Sequence, residues 1–140
     1  IDIVNIRSSI RIKLQDGELD LLKSVLIKGG TISLSLFAST FSDDVEAFVQ
    51  ALSHTDYGDL LAEALPSINA GSLGTLEKIL DDYKVERLKK AKLVAYGIEP
   101  IVAFLAAKEN DIKTARIILT GKSANLPDDR IAEKVRGAYV

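Results

Sequence analysis

EPIVAFLAAKENDIKTARIILTGK, residues 99–122, decides the fold class. Ile101, Phe104, Leu105, Ile112, Ala115 and Leu119 fall near one side at helical spacing, and Lys108, Glu109, Lys113 and Arg116 interrupt them. That is the period of an amphipathic helix whose apolar side faces a core. Pro100 suits the first helical position, where its missing N–H would have no intrahelical acceptor, and Gly121 can take the left-handed conformation that closes a last turn. The spacing therefore predicts a helix over 100–120, about 30 Å long at the usual rise per residue.

The same period recurs on either side. Upstream, Ser72 precedes Leu73, Leu76, Ile79, Leu80 and Tyr83, which predicts a second long helix running through Leu88 towards Gly97. Downstream, Asn125 and Pro127 open a short helix with Asp128 and Asp129 in its first turn and Lys134 and Arg136 in its last, a charge order that complements the macrodipole. Ile131 and Val135 are its expected buried positions. At the start of the chain Ile3, Ile6 and Ile10 line a helix that Gly17 ends, and Leu19, Leu22, Val25 and Leu26 line another that stops at Gly29-Gly30. Ser42, followed by two aspartates, is the expected cap of a helix with Val45, Phe48, Val49 and Leu52 inward. A further short helix fits Asp59 to Leu65, ended by Pro66.

Thr31 to Leu36 alternates, with Ile32, Leu34 and Leu36 against Ser33 and Ser35, which by period alone reads as a strand. A lone strand leaves its backbone groups unpaired, so a short helix or loop is expected there. The chain also matches itself: DIVNIRSSIRIK at Asp2–Lys13 lies on DIKTARIILTGK at Asp111–Lys122 at an offset of 109 residues. Asp2/Asp111, Ile3/Ile112, Arg7/Arg116, Ile10/Leu119 and Lys13/Lys122 agree in kind, which suggests duplication, although amphipathic helices also resemble one another on pattern alone.

Composition bounds the function. The 140 residues, 47% hydrophobic and 27% charged, hold enough apolar material for a core. Eighteen Lys and Arg against 20 Asp and Glu leave a net charge of −2, so the bulk electrostatics point to no nucleic acid and no anionic membrane. There is no cysteine and one histidine, His54, which removes thiolate chemistry and leaves little for imidazole. The longest apolar run, Ile101 to Ala107, is far short of the ~20 residues that span a bilayer. The chain begins at Ile1 and contains no methionine, as expected of a piece of a longer protein.

The reactive motifs do not assemble. Gly121-Lys122-Ser123 ends like a phosphate-binding loop, but Arg116 stands where the earlier glycine belongs and a helix, not a strand, precedes it, so no nucleotide is expected. Gly71–Gly74, GSLG, resembles the clamp of a nucleic-acid-binding module but has no basic residue between its glycines, and a helix start is the better reading. Asp43-Asp44, Asp81-Asp82 and Asp128-Asp129 are assigned to helix starts or polar faces, and His54 to a turn. No nucleophile, base and orienter come together, and no metal or cofactor is expected. Arg7 and Arg11, one turn apart, with Arg116 and Lys122 in the related later helix, form either a stripe facing a partner or intramolecular pairs, as Glu109 with Lys113.

Residues 99–122, with their proline, apolar helix, Ala107-Lys108-Glu109, acidic turn and Arg116-Ile117-Ile118-Leu119 before Gly121-Lys122, resemble the stalk-subunit family of rotary ATPases, known as the C subunit in the A/V-type enzymes and as the d subunit in the eukaryotic vacuolar one. LPDDRIAEKVRGAYV resembles that family's carboxyl terminus, and DIVNIRSSIRIK with LLKSVLIKGGTIS its earlier repeat. The likeness is dense over 99–140, moderate over 1–33 and thin between.

The resemblance implies an all-α protein, an antiparallel helical bundle or array of three related repeats, of which this chain covers about one and a half. Residues 1–33 would hold the end of one repeat and the start of another, 34–122 the central helices and 123–140 the C-terminal helix, within one helical domain. It implies no catalytic role and no cofactor. The family sits peripherally on the cytoplasmic face of the membrane, on the proteolipid ring, and receives the central shaft, coupling ATP turnover to proton or sodium translocation. Lys108, Glu109, Arg116, Gly121 and Lys122 carry over as pattern residues, and Thr114 and Ala115 depart from it. The expected partner-binding set is Arg7, Arg11, Lys13, Lys108, Glu109, Arg116 and Lys122. A free-standing helical interaction module, or an enzyme whose site lies elsewhere in a longer chain, are the other classes the residues allow.

Overall fold

The computed structural model describes residues 1–90, 94 and 96–135, and among them every regular element is a helix. In chain order these are α1 (Asp2–Leu14), α2 (Leu19–Val25), α3 (Leu34–Ser39), α4 (Val45–Ala51), α5 (Gly58–Asn69), α6 (Gly74–Lys89), α7 (Glu99–Ser123) and α8 (Asp128–Lys134). The all-α expectation holds. The chain divides into two compact units, Ile1–Glu77 and Lys78–Val140.

In the first unit α1 packs on α2, α2 on α3, and α4 on α5. Ile6, Ile10, Leu22, Phe37, Phe48, Leu52, Leu61 and Ile68 are fully buried, each worth roughly 1.5–3 kcal/mol relative to exposure. The Phe37 and Phe48 rings meet at 6.0 Å and tilt by 42°, within the offset range that their quadrupoles favour.

Several helix ends differ from expectation. α2 stops at Val25, where Leu26 is already extended, rather than at Gly29-Gly30; only Leu22 of its predicted inward set is fully buried, and Val25 is exposed. The chain leaves the helix early because Asn5 captures the next turn: its amide nitrogen donates to the Ile27 carbonyl and its oxygen accepts the Ile27 N–H, both at 2.9 Å. Asp2 then accepts from the backbone N–H and hydroxyl of Thr31 and from the N–H of Ile32. Gly30 passes against that carboxylate, where any Cβ would collide with it. These bonds answer the backbone of the alternating stretch, and Leu34 onward turns into α3 with Ser33 as its cap. α4 is capped by Asp44, whose carboxylate accepts the Ala47 N–H at 2.7 Å, not by Ser42. α5 passes through Pro66 to Asn69; Pro66 and Ala62 lie on the solvent side, where the carbonyl that loses its donor can take water.

The second unit carries the largest correction. α7 forms as expected, with Pro100 in its first turn and no side-chain cap. However, Ile101, Phe104, Leu105, Ile112 and Leu119 are 57–70% exposed, and Ala115 is exposed too. The buried residues are Ala103, Ala107, Asn110 and Gly121, also at helical spacing but on another side. Near this side α7 and α6 border a hollow of about 10 Å³ lined by Asp81, Val85, Leu88, Ala106 and Asn110. Asp81 is accordingly buried on α6 rather than placed on a polar face. The predicted continuation of α6 towards Gly97 falls partly outside the described residues, as does Arg136 of the last helix.

Gly121 does not end α7. The helix runs to Ser123, and Asn125, at φ 52°, takes the left-handed position. The N–H of Leu126 bonds back to the Gly121 carbonyl at 2.9 Å and that of Asn125 to the Lys122 carbonyl at 3.0 Å, a Schellman closure. Asn125 thus closes α7 rather than opening α8. Ile131 is buried and Val135 half-buried.

Candidate functional site

The expected contact residues fall on two helices in different units. On α1, Lys13 reaches the loop between α3 and α4, where its ammonium donates to the carbonyls of Thr40, Phe41 and Asp43, each at 2.7 Å. The Phe41 and Phe48 rings lie 5.4 and 5.7 Å from it. Three donors meet three acceptors, so the side chain pins this loop to the end of α1. Burial lowers its pKa from the usual 10.5, and the Asp43 and Asp44 carboxylates oppose that shift. Beside it lies an open hollow of about 470 Å³ bordered by Asp16, Gly17, Ser42 and Val45. Arg11 is exposed and paired with Glu77 at 2.6 Å. Arg7 is half-buried one turn earlier.

At the other end of the same helix, burial raises the pKa of Asp2. The hydrogen bonds from Thr31 and Ile32 outweigh it and hold the carboxyl below its ordinary value of 3.8. Asp2 is thus an ionised, buried anchor of the loop after α2.

On α7, Lys108 pairs with Asp111 at 3.6 Å and stands 5.6 Å over the Phe104 ring. Glu109 is exposed, and the helix's ion pair is Lys108–Asp111 rather than the expected Glu109–Lys113. Lys122 crosses the turn to Asp128. Gly121 sits against Ile131: a Cβ there would lie 2.6 Å from Ile131 Cγ1 and 2.9 Å from Cδ1. Next to this contact an open groove of about 290 Å³ is lined by Arg116, Ile117, Thr120, Gly121, Leu126, Ile131 and Lys134. Sequence reasoning singled out Arg116 and Gly121 here but not Ile117, Thr120, Leu126 or Lys134 as groove residues, because no periodicity signals a cleft formed across a turn.

The structure brings Arg7, Arg11 and Lys13 together on α1, and Lys108, Glu109, Arg116 and Lys122 along α7. His54 is an exposed turn residue, and Gly121-Lys122-Ser123 is the last turn of a helix. Among the described residues no cluster of His, Asp or Glu could hold a metal ion, and no helix is long and apolar enough to cross a membrane.

Compared with known proteins, residues 1–134 match the model of the family described as ATP synthase (C/AC39) subunit. The chain is similar to the C subunit of the V-type sodium ATPase of Enterococcus hirae, with 30% identity over 139 residues covering 99% of this chain and 42% of that protein. It is similar to the C subunit of the A-type ATP synthase of Haloquadratum walsbyi at 29% identity, covering 96% of this chain and 39% of that protein. The corresponding A-type ATP synthase protein of Pyrococcus abyssi is 27% identical, with 96% and 37% covered. The chain thus spans about two fifths of the length of these relatives. No solved structure matches it.

Proposed function

The chain belongs to the ATP synthase (C/AC39) subunit family, and we propose that it works as a non-catalytic central-stalk subunit of an A/V-type rotary ATPase. In this reading it is a socket that joins the central shaft to the membrane proteolipid ring, and it couples ATP hydrolysis or synthesis to proton or sodium translocation. It would sit peripherally at the cytoplasmic face as part of the complex, as about one and a half of three related repeats, with 1–33 spanning a repeat junction, 34–122 central and 123–140 terminal.

The observation that carries this reading is the family match over residues 1–134. Two structural features support it. A part that transmits torque needs stiff helices joined by short links and requires no reactive group, and α7 alone extends over 25 residues. The exposed apolar side of α7, Ile101, Phe104, Leu105, Ile112 and Leu119, is a surface of the kind that marks protein contact. Arg7, Arg11, Lys108, Glu109, Arg116 and Lys122 are the proposed contact positions, while Lys13 contributes by holding the α3–α4 loop in place.

The test is a tagged pull-down of the full-length protein from its native, gently solubilised membranes, with mass-spectrometric identification of what stays bound. Recovery of shaft and proteolipid-ring subunits is expected. Their absence, with the ATPase intact in the same extract, would overturn the reading. Arg7→Glu with Arg11→Glu should weaken that association, with circular dichroism read alongside because Arg7 is half-buried while the Arg11–Glu77 pair is exposed; unchanged association of the folded variant would remove α1 from the contact surface.

A further inference from the structure

We propose that the second unit meets an anionic lipid bilayer through one end, where the apolar start of α7 enters the headgroup boundary and the cations that close α6 face the headgroups. The contact is interfacial, since no helix among the described residues is long and apolar enough to cross a membrane. This goes beyond the rotor-socket reading and does not rest on it. Of the exposed side of α7 it assigns the first turns to lipid and leaves Ile112 and Leu119 for protein contact.

From 94 to 107 the only charged residue is Glu99. Its carboxylate folds back against Gly97 at the start of α7, where the helix macrodipole favours an anion. Tyr96, Ile98, Ile101, Val102, Phe104 and Leu105 are all exposed at this end, Tyr96 by 90%. With 3.6 residues per turn, the four from Ile101 to Leu105 cover about 160° of the helix surface, and Ala103 alone among residues 101–105 is buried. Such an end is convex. A protein partner would have to enclose it in a matching cleft, whereas fluid acyl chains close around it without a fixed shape. Tyr96 adds an apolar ring with a polar tip, which suits a boundary between hydrocarbon and water. Ile98 to Leu105 spans about 10 Å of helix axis, close to the roughly 5–10 Å to which interfacial helices bury their apolar side.

Charge specifies an anionic surface. Leu88, next to last in α6, and Ala106 border the same small hollow, so α6 closes beside the second turn of α7. Residues 84–90 hold four cations, Lys84, Arg87, Lys89 and Lys90, against one carboxylate, Glu86, which Lys89 pairs with at 2.7 Å. The other carboxylates of α6, Glu77, Asp81 and Asp82, lie further from this end. Asp82 is about 10 Å from Lys89 along the axis, beyond the ~8 Å over which physiological salt screens a charge. The chain's net charge of −2 conceals this local excess of cations. Apolar burial and attraction to anionic headgroups add in interfacial binding, and each Lys or Arg near the surface multiplies affinity by roughly fivefold.

The test sediments the purified full-length protein with vesicles of mixed phosphatidylglycerol and phosphatidylcholine, and with vesicles of phosphatidylcholine alone. Binding to the mixed vesicles that weakens at high salt is expected, with about tenfold weaker binding to phosphatidylcholine alone. Lys89→Glu with Lys90→Glu should weaken it by about tenfold or more. Phe104→Ser with Leu105→Ser should weaken it similarly while leaving circular dichroism unchanged, since both side chains are exposed. In Phe104→Trp the introduced indole, in a stretch of 140 residues with no tryptophan, should shift its emission to the blue when mixed vesicles are added, relative to the parent protein.

The proposal is overturned by no binding to the mixed vesicles, by insensitivity of that binding to either paired substitution, or by an introduced indole whose emission does not move. It is likewise overturned if Phe104→Ser with Leu105→Ser leaves vesicle binding intact but loses the subunits recovered in the pull-down, or abolishes self-association of the protein, since the occupant would then be another protein or a second copy.

Discussion

The side-chain amide of Asn5 holds the backbone of Ile27 from both directions, donating to its carbonyl and accepting from its N–H at 2.9 Å each. One residue on the first helix thereby satisfies both backbone polar groups of a residue 22 positions away. Asn5→Leu should leave both without a protein partner and lower stability by about 2–3 kcal/mol. Asn5→Asp keeps the acceptor for the Ile27 N–H but sets a buried carboxylate oxygen against the Ile27 carbonyl, and should cost at least as much. Urea denaturation of the three proteins checks this, and equal midpoints would show that the clamp contributes nothing.

Asp2 makes the same loop sensitive to acid. Its folded-state pKa is depressed below 3.8 because the bonds from Thr31 and Ile32 outweigh burial. Its contribution is therefore fully present above the unfolded-state value and is lost as pH falls through the lower folded-state value. Asp2→Asn should be less stable than the parent at neutral pH by about 1–3 kcal/mol, with the difference closing in strong acid. A difference that stays constant into strong acid would contradict the assignment.

Removing the Lys13 ammonium should free the loop it holds. Lys13→Met loses three charge-assisted bonds to Thr40, Phe41 and Asp43, at an expected cost of about 1–3 kcal/mol. Lys13→Arg should not restore it, since a planar guanidinium fork cannot aim at three carbonyls grouped around one point. Hydrogen exchange of the loop amides should rise in both variants, and unchanged protection would refute the role.

The α7–α8 junction can be tested by a double-mutant cycle. Gly121→Ala gains about 1 kcal/mol of helix propensity but pushes a methyl into Ile131, a strain of about 1–3 kcal/mol. Combined with Ile131→Ala the strain disappears, so the double variant should be more stable than the two single effects add up to, by about 1 kcal/mol or more. Strict additivity would mean that the two residues do not press on each other.

Charge on the apolar side of α7 should be tolerated. Leu105→Glu with Ile112→Lys places charges where the wild-type side chains are 58% and 60% exposed, and the change in stability should stay within about 0.5 kcal/mol. Phe48→Ala, at a fully buried ring, should cost about 3–5 kcal/mol. Thermal unfolding followed by circular dichroism separates the cases, and a large loss for the α7 pair would place that side in a core.

Much of the helix content was legible because periodicity, caps and turn residues act over a few positions. Pro100 begins α7, and Phe48, Val49 and Leu52 are buried as their spacing requires. The candidate site was legible in part: Arg116 and Gly121 stood out in the sequence, but the groove they border also needs Leu126 and Ile131, which reach it only after the chain has turned. Pro66 misled because α5 tolerates it on the solvent side, where the Ala62 carbonyl that loses its donor can take water.

Which side of α7 is covered was decided by tertiary packing. Spacing defines an apolar side as an angle about one axis, whereas burial requires a second axis near enough to exclude water. In α7 the buried residues are Ala103, Ala107 and Gly121, and the large residues remain in solvent. The end of α2 belongs to the same class. No signal between Leu19 and Gly30 stops that helix at Val25; the side chains of Asp2 and Asn5 do so, by offering its following backbone better partners than another helical turn would. Helicity is thus a local property of this chain, and the surfaces it buries or leaves for a partner are properties of contacts between residues far apart in it.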